Sequence, residues 1–157
     1  MKAASVKELK EELKNCSQAE LLELCLSLSK FKKENKELLT YLLYEASNEE
    51  LYVESVKIEV DEQFKNINKK NFYFIKKSVR KILSNIKKYI RYSKKKETEV
   101  ELLLYFCTKL KTFTPSIYKN IALTNIYLRQ IEKIKKIVLL LDPDLQFDYG
   151  KELEELT

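Results

Sequence analysis

The sequence predicts an all-α fold: a compact bundle of seven or eight helices whose sequential members are antiparallel neighbours, or an α-solenoid-like stack of helix hairpins. Three observations carry this. The 157 residues include one glycine and two prolines, too little turn-forming material for a protein built of hairpins. Apolar residues return every three or four positions through most of the chain, which is the period of an amphipathic helix. Ser-x-x-Glu boxes and ordered charges mark where helices begin and end. A chain of this length is the size of one domain, so a single core over residues 1–157 is expected.

The elements follow in order. Ser5 with Glu8 has capping-box spacing, and Val6, Leu9 and Leu13 then recur on one side, giving a first helix to about Lys14. Ser17 with Glu20 repeats the signal. In the second helix Leu21, Leu22, Leu24, Cys25, Leu26 and Leu28 are dense enough that only one side should be wet. The polar residues Ser29, Lys30 and 32–37 predict a break or bend. Leu38, Leu39, Tyr41, Leu42, Leu43 and Tyr44 make a third apolar segment, and Ser47 with Glu50 opens a fourth helix through Tyr52, Val53, Val56, Ile58, Val60 and Phe64 to about Ile67. Asn66, Asn68 and Asn71 crowd the next junction, as expected of a short turn.

Residues 71–96 form the stretch with the strongest pattern. At about 100° per residue, Ile75, Val79, Ile82, Leu83, Ile86, Tyr89 and Ile90 fall within an arc of roughly 120°. Lys76, Lys77, Arg80, Lys81, Lys87, Lys88 and Arg91 fill the opposite side. No acidic residue occurs in residues 63–96, which carry +13; with +6 overall, the rest of the chain sums to −7. The basic charge is therefore concentrated.

The sixth segment, residues 97–113, has Glu97, Glu99 and Glu101 near its start and Lys109 and Lys111 near its end, the order that complements the helix dipole. Its centre, residues 102–107, is apolar on every side and should lie deep in the bundle. Thr114 and Pro115 read as a cap and a first helical position, opening a long seventh helix to Leu141. Asp142-Pro143 stops it, and Leu145, Phe147, Tyr149, Leu153 and Leu156 belong to a short terminal helix or ordered tail. Residues 38–43 and 102–107 look alike, but one such pair is too little to make a repeat.

Composition removes many chemistries. With no histidine there is no Ser-His or Cys-His nucleophile pair, and with Gly150 as the sole glycine there is neither a P-loop nor a dinucleotide-binding fingerprint. The charged first thirty residues do not read as a signal peptide, and the longest aliphatic run, residues 137–141, is too short to span a membrane. Cys16, Cys25 and Cys107 are odd in number and set in helical patterns, which fits buried, inert thiols in a cytoplasmic protein.

The order KELKEELKNCSQAELLELCLSLSKFKKENKELLTYLLYEA, KKSVRKILSNIKKYIRY and ELLLYFCTKLKTF, spanning residues 7–113, resembles a family of small, uncharacterised all-helical bacterial proteins. The resemblance implies the fold and brings no activity with it.

Four features are candidates for function. A dense Lys/Arg face attracts phosphate backbones, and Phe72, Tyr73, Phe74, Tyr89 and Tyr92 are placed to stack on bases. Two facts favour an ordinary solvated face instead. Arginine occurs only as Arg80, Arg91 and Arg129 against 27 lysines, and the acidic remainder of the chain is able to neutralise the basic residues. A cationic amphipathic helix also suits an anionic membrane surface, although in a globular domain its apolar side belongs to the core. The carboxylates Glu50, Glu54, Asp61 and Glu62 lack any histidine to complete a metal site and read as partners of nearby lysines. Finally, Tyr41, Tyr44, Tyr52 and Tyr118 would make a docking surface if they were exposed together. The function expected is a non-catalytic protein-interaction or scaffold module without cofactor or metal, not inserted in a membrane and of open oligomeric state. The alternative is sequence-tolerant nucleic-acid binding through Lys76, Lys77, Arg80, Lys81, Lys87, Lys88 and Arg91.

Overall fold

The computed structural model describes all 157 residues, which form eight α-helices, one π-helical turn, one 3-10 turn and no strand. The all-α prediction holds. The helices divide into two compact units, Met1–Tyr44 and Glu45–Thr157.

In Met1–Tyr44, helix α1 (Val6–Lys14) begins at a full capping box. The Ser5 hydroxyl accepts from the Glu8 N–H at 3.3 Å while the Ser5 N–H donates to the Glu8 carboxylate at 2.7 Å. Helix α2 (Gln18–Phe31) uses Ser17 and Glu20 in the same way, at 3.2 and 2.6 Å. Each box satisfies N–H groups that the first turn leaves without partners. The predicted break falls on one residue, Lys32, in an extended conformation (φ −141°, ψ 148°). Asn35 then donates its side-chain amide to the Leu28 carbonyl at 2.8 Å, tying α3 (Lys33–Thr40) to the end of α2. A π-helical turn, Tyr41–Glu45, follows.

The expectation that one side alone of α2 would be wet is wrong. Its apolar residues wrap roughly 220° of the helix, and α2 packs against α3 with Ser29 as its one buried residue. Leu22, Leu24, Leu28 and Phe31 stay exposed, Phe31 at 77%. One short neighbour does not cover so wide an arc.

In Glu45–Thr157, helix α4 (Glu49–Lys65) starts one residue later than Ser47 predicts. Asn48 is the cap, its side-chain oxygen accepting from the Leu51 N–H at 3.2 Å. Asn66 ends the helix, Asn68 accepts from the Lys70 N–H at 2.9 Å, and Asn71 caps α5 (Phe72–Ser93), so the asparagine-rich turn forms as expected. Helix α6 (Lys96–Lys111) follows. Side-chain bonds give the directions. Tyr52 reaches Tyr89, and Ser93 reaches Glu49, so α4 and α5 are antiparallel. Thr98 meets Glu49, and Tyr105 meets Asp61, so α6 runs parallel to α4.

The seventh helix is shorter than its sequence suggests. Residues 117–119 make a 3-10 turn, and Asn120, not Thr114, caps α7 (Ile121–Val138) by accepting from the Leu123 N–H at 3.2 Å. Asparagine is among the best N-caps, so it sets the start despite the apolar period running through Ile117. Pro143 opens α8 (Pro143–Leu156), which continues through Gly150 as a helix of 14 residues.

Helix α6 is the hub, packing against α4, α5, α7 and α8. Leu102, Leu103, Leu104, Phe106 and Cys107 are buried as predicted, with the Phe106 ring centroid 6.0 Å from that of Phe64, whereas Tyr105 of the same stretch is half-buried and donates its hydroxyl to Asp61 at 2.7 Å. Each such side chain contributes about 1.5 to 3 kcal/mol through burial. The look-alike residues 38–43 run into the π-helical turn with Leu42 and Leu43 exposed, so the two segments are not equivalent repeats.

Candidate functional site

Helix α5 sorts its residues as its period demands. Ile75, Val79, Ile82, Leu83, Ile86 and Ile90 are buried. Tyr89, assigned to the same arc, lies at its edge, donating its hydroxyl to Glu59 Oε2 at 2.7 Å and accepting at its carbonyl from the Tyr52 hydroxyl at 3.0 Å. On the far side Lys77, Arg80, Lys81, Lys87 and Arg91 are exposed, and Lys76 and Lys88 are half-buried. The Lys88 ammonium lies 4.9 Å from the Tyr89 ring centroid.

Lys76, Lys77, Arg80, Lys81, Lys87 and Arg91 make no ion pair. The carboxylates expected to neutralise them are engaged elsewhere. Lys57 bridges Glu54 and Glu101 at 2.8 and 2.6 Å, Lys109 holds Asp61 at 2.7 Å, and Lys65 holds Glu62 at 3.0 Å. Glu49 takes Lys95 at 3.2 Å and the Thr98 hydroxyl at 2.6 Å, and Glu99 takes Lys133 at 2.5 Å. Burial opposes the charge on Lys57, but its two carboxylate partners outweigh that and raise its pKa.

Of the aromatic residues near this helix, Tyr92 is buried, Phe72 and Phe74 are half-buried, and Tyr73 stands 65% exposed with its ring edge-on to Phe74. Tyr73 alone is open to an incoming base. The membrane-surface reading lacks an insertable face, because the apolar side of α5 is inside the unit.

The tyrosine docking patch does not form. Tyr41 and Tyr52 are buried, the latter with its hydroxyl satisfied by Tyr89, while Tyr44 and Tyr118 are exposed. A buried tyrosine with a bonded hydroxyl is a core residue with a polar handle.

Exposed apolar side chains are scattered over Glu45–Thr157, among them Ile121, Leu139 and Phe147, but are densest on Met1–Tyr44. Val6, Leu9 and Leu13 on α1, Leu22, Leu28 and Phe31 on α2, and Leu42 and Leu43 in the π-helical turn are all exposed. Cys25, Leu28, Leu38, Leu39 and Leu42 line an open groove of about 230 Å³ between α2 and the segment that follows it. Sequence periodicity assigned these leucines to a core. The available counter-signal was length: a 44-residue stretch holding three short helices offers each apolar stripe few partners.

The remaining candidates are simpler. Cys107 is buried and its thiol is pushed up to about 12, whereas Cys16 is half-buried and Cys25, contrary to expectation, is exposed on the uncovered ridge of α2. A second cleft, of about 370 Å³, is lined by Lys57, Glu101, Tyr105, Asp148, Tyr149 and Glu152, and burial together with the Glu101 charge raises the Glu152 carboxyl above its usual range. No group of three carboxylate or thiol side chains is placed to hold a metal ion, and no helix is long and apolar enough to cross a membrane. Comparison with family models, with curated proteins and with solved structures gives no match, so the roles of these residues rest on their own geometry.

Proposed function

We propose that the protein is a non-catalytic interaction module that docks through the apolar faces of Met1–Tyr44, and that the occupant is a second copy of the same unit. The observation that carries this is the exposure of leucines along three consecutive helical segments, with Leu28 at 62% and Leu42 at 58% flanking the groove. Isolated exposed leucines are ordinary; leucines gathered along an apolar groove are not.

Charge balance favours self-association. The unit carries eight lysines against seven glutamates, a near balance that presents no net repulsion to its own copy and no bias toward a strongly charged partner. A free thiol exposed at Cys25 fits the reducing setting of the cytoplasm.

The test is mass by light scattering across the micromolar range for the full chain and for the double variant Leu28→Glu, Leu42→Glu. A dimer that the variant converts to monomer, with helicity and the unfolding transition of Glu45–Thr157 unchanged, supports the proposal. A monomer at every concentration overturns it.

A further inference from the structure

We propose that the solvent face of α5 is a binding site for single-stranded nucleic acid, gripped through its phosphates without regard to base sequence. This goes beyond docking by Met1–Tyr44 and rests on different residues.

Placement comes first. Tyr73, Lys77, Arg80, Ser84, Lys87 and Arg91 follow one another at steps of four, three, four, three and four residues. That spacing sets them in a line down one side of the helix, about 27 Å long at 1.5 Å per residue. The line starts at an exposed aromatic ring and holds a cation on nearly every turn. It contains no carboxylate, because residues 63–96 contain none.

The second observation concerns partners. Elsewhere in Glu45–Thr157, Lys57, Lys65, Lys95, Lys109, Lys133 and Lys135 all have carboxylate partners. Along the α5 line, Lys77, Arg80, Lys87 and Arg91 have none. Four cations without carboxylate partners, aligned in one row that holds no acidic residue, concentrate a positive potential there. An anion entering this row displaces no internal partner.

The third observation is shape. At its C-terminal end the row opens into a cleft of about 580 Å³ lined by Lys87, Ile90, Arg91 and Lys94 from the α5 side and by Glu99 and Lys133 opposite. The one carboxylate there, Glu99, is neutralised by Lys133 at 2.5 Å, so the cleft keeps the cationic excess that Lys87, Arg91 and Lys94 bring from the α5 side. A concave, cationic cleft accommodates phosphates, and the exposed Tyr73 ring at the other end offers a π-face to an unpaired base. A base inside a duplex is already stacked, which is why the single strand is the better fit. Lys77 and Lys87 act as point charges, Arg80 and Arg91 suit phosphate oxygens, and no Asn or Gln stands in the row to read an adenine edge, so recognition through the backbone should tolerate most sequences.

The experiment is fluorescence anisotropy with a labelled mixed-sequence oligonucleotide, single-stranded and as a duplex, over a salt series with the full chain. For about five phosphates engaged, log K should fall against log salt with a slope near −3.5 for the single strand. The variant Lys77→Gln, Arg80→Gln, Lys87→Gln, Arg91→Gln should lose about tenfold or more in affinity at ~0.1 M salt and flatten the slope by about 3. The variant Lys10→Gln, Lys30→Gln, Lys36→Gln, Lys136→Gln has the same net charge and should keep its affinity. Tyr73→Ala should cost about fivefold or more on the single strand and nothing on the duplex. Absence of binding at ~0.1 M salt overturns the proposal, as does equal loss in the two quadruple variants, which would reduce the effect to net charge. Tighter binding to the duplex overturns the single-strand assignment, and equal affinity for phosphatidylserine vesicles overturns the nucleic-acid assignment. All substituted side chains point to solvent, and circular dichroism checks that the variants remain helical.

Discussion

Leu22, Leu24, Leu26 and Leu28 on α2 stand exposed, whereas Leu102, Leu103 and Leu104 on α6 are at most 3% accessible. The two helices carry similar apolar loads and similar lengths, and both have acidic residues in the first turn and lysines in the last. What differs is the number of neighbours. Helix α6 has α4, α5, α7 and α8 around it, so its leucines are covered although they point to several sides of the helix. Helix α2 has α3, eight residues long, and its leucines exceed what α3 can hide. Apolar periodicity measures the demand for burial; supply depends on how many other faces the chain brings to the same place.

The sharpest way to break this comparison is truncation of one side chain in each region. Phe106→Ala removes a fully buried ring that contacts Phe64, and should cost about 3 to 5 kcal/mol of unfolding free energy, a large share of a domain's total. Leu22→Ala removes a side chain that is 58% exposed and should change global stability by no more than about 0.5 kcal/mol. Both are read from urea denaturation at low protein concentration. Equal costs would mean that the leucines of α2 are structurally buried in solution and would remove the apolar surface from consideration.

A smaller effect compares the caps. Asn120 and Ser17 perform one task, accepting an N–H from the first turn at 3.2 Å in each case. Asn120→Ala should cost the cooperative transition about 1 kcal/mol, because α7 is locked into the core by Leu123, Ile131 and Ile134. Ser17→Ala should leave that transition unmoved and lower the helical signal before it, since α2 has little packing to share the loss. If Ser17→Ala shifts the main transition as far as Asn120→Ala does, the two units unfold as one.

Much of this was legible from the residues. The boxes Ser5/Glu8 and Ser17/Glu20 gave true helix starts, and the period through residues 75–90 separated the two faces of α5 correctly. The starts of α4 and α7 lie at asparagines: Asn120 is a stronger cap than Thr114, whereas Asn48 and Ser47 are equal in propensity and local pattern does not decide between them. The candidate sites were less legible. That Tyr52 is buried and Tyr73 exposed depends on which helix lies alongside, information that local pattern does not hold. That Lys77, Arg80, Lys87 and Arg91 make no ion pair was the hardest to foresee. Net charge suggested neutralisation, whereas Glu49, Asp61, Glu99 and Glu101 are committed to Lys95, Lys109, Lys133 and Lys57 through long-range pairing.

The smallest expected effect is in acid. Burial alone would raise the Asp61 carboxyl, but hydrogen bonds from Lys109 and Tyr105, with the Lys109 charge, outweigh it and hold Asp61 below its ordinary value of 3.8. The unfolded chain therefore binds more protons than the folded one between those two values. The stability Asp61 contributes is present above about pH 4 and is lost as pH falls through the folded value. Asp61→Asn should flatten this acid loss in urea denaturation series below pH 4. At neutral pH it should cost only a few tenths of a kcal/mol, roughly what an ion pair a third open to water provides. Met1–Tyr44 should respond differently to the same acid. Glu8 and Glu20 are held low by the N–H groups of Ser5 and Ser17, so protonating them loosens the caps of α1 and α2. That loss should appear as a drop in helical signal at low pH that Asp61→Asn does not alter. If Asp61→Asn alters both, the acid response is shared between the units, and the contrast between the packed helices of Glu45–Thr157 and the exposed leucines of Met1–Tyr44 does not extend to titration.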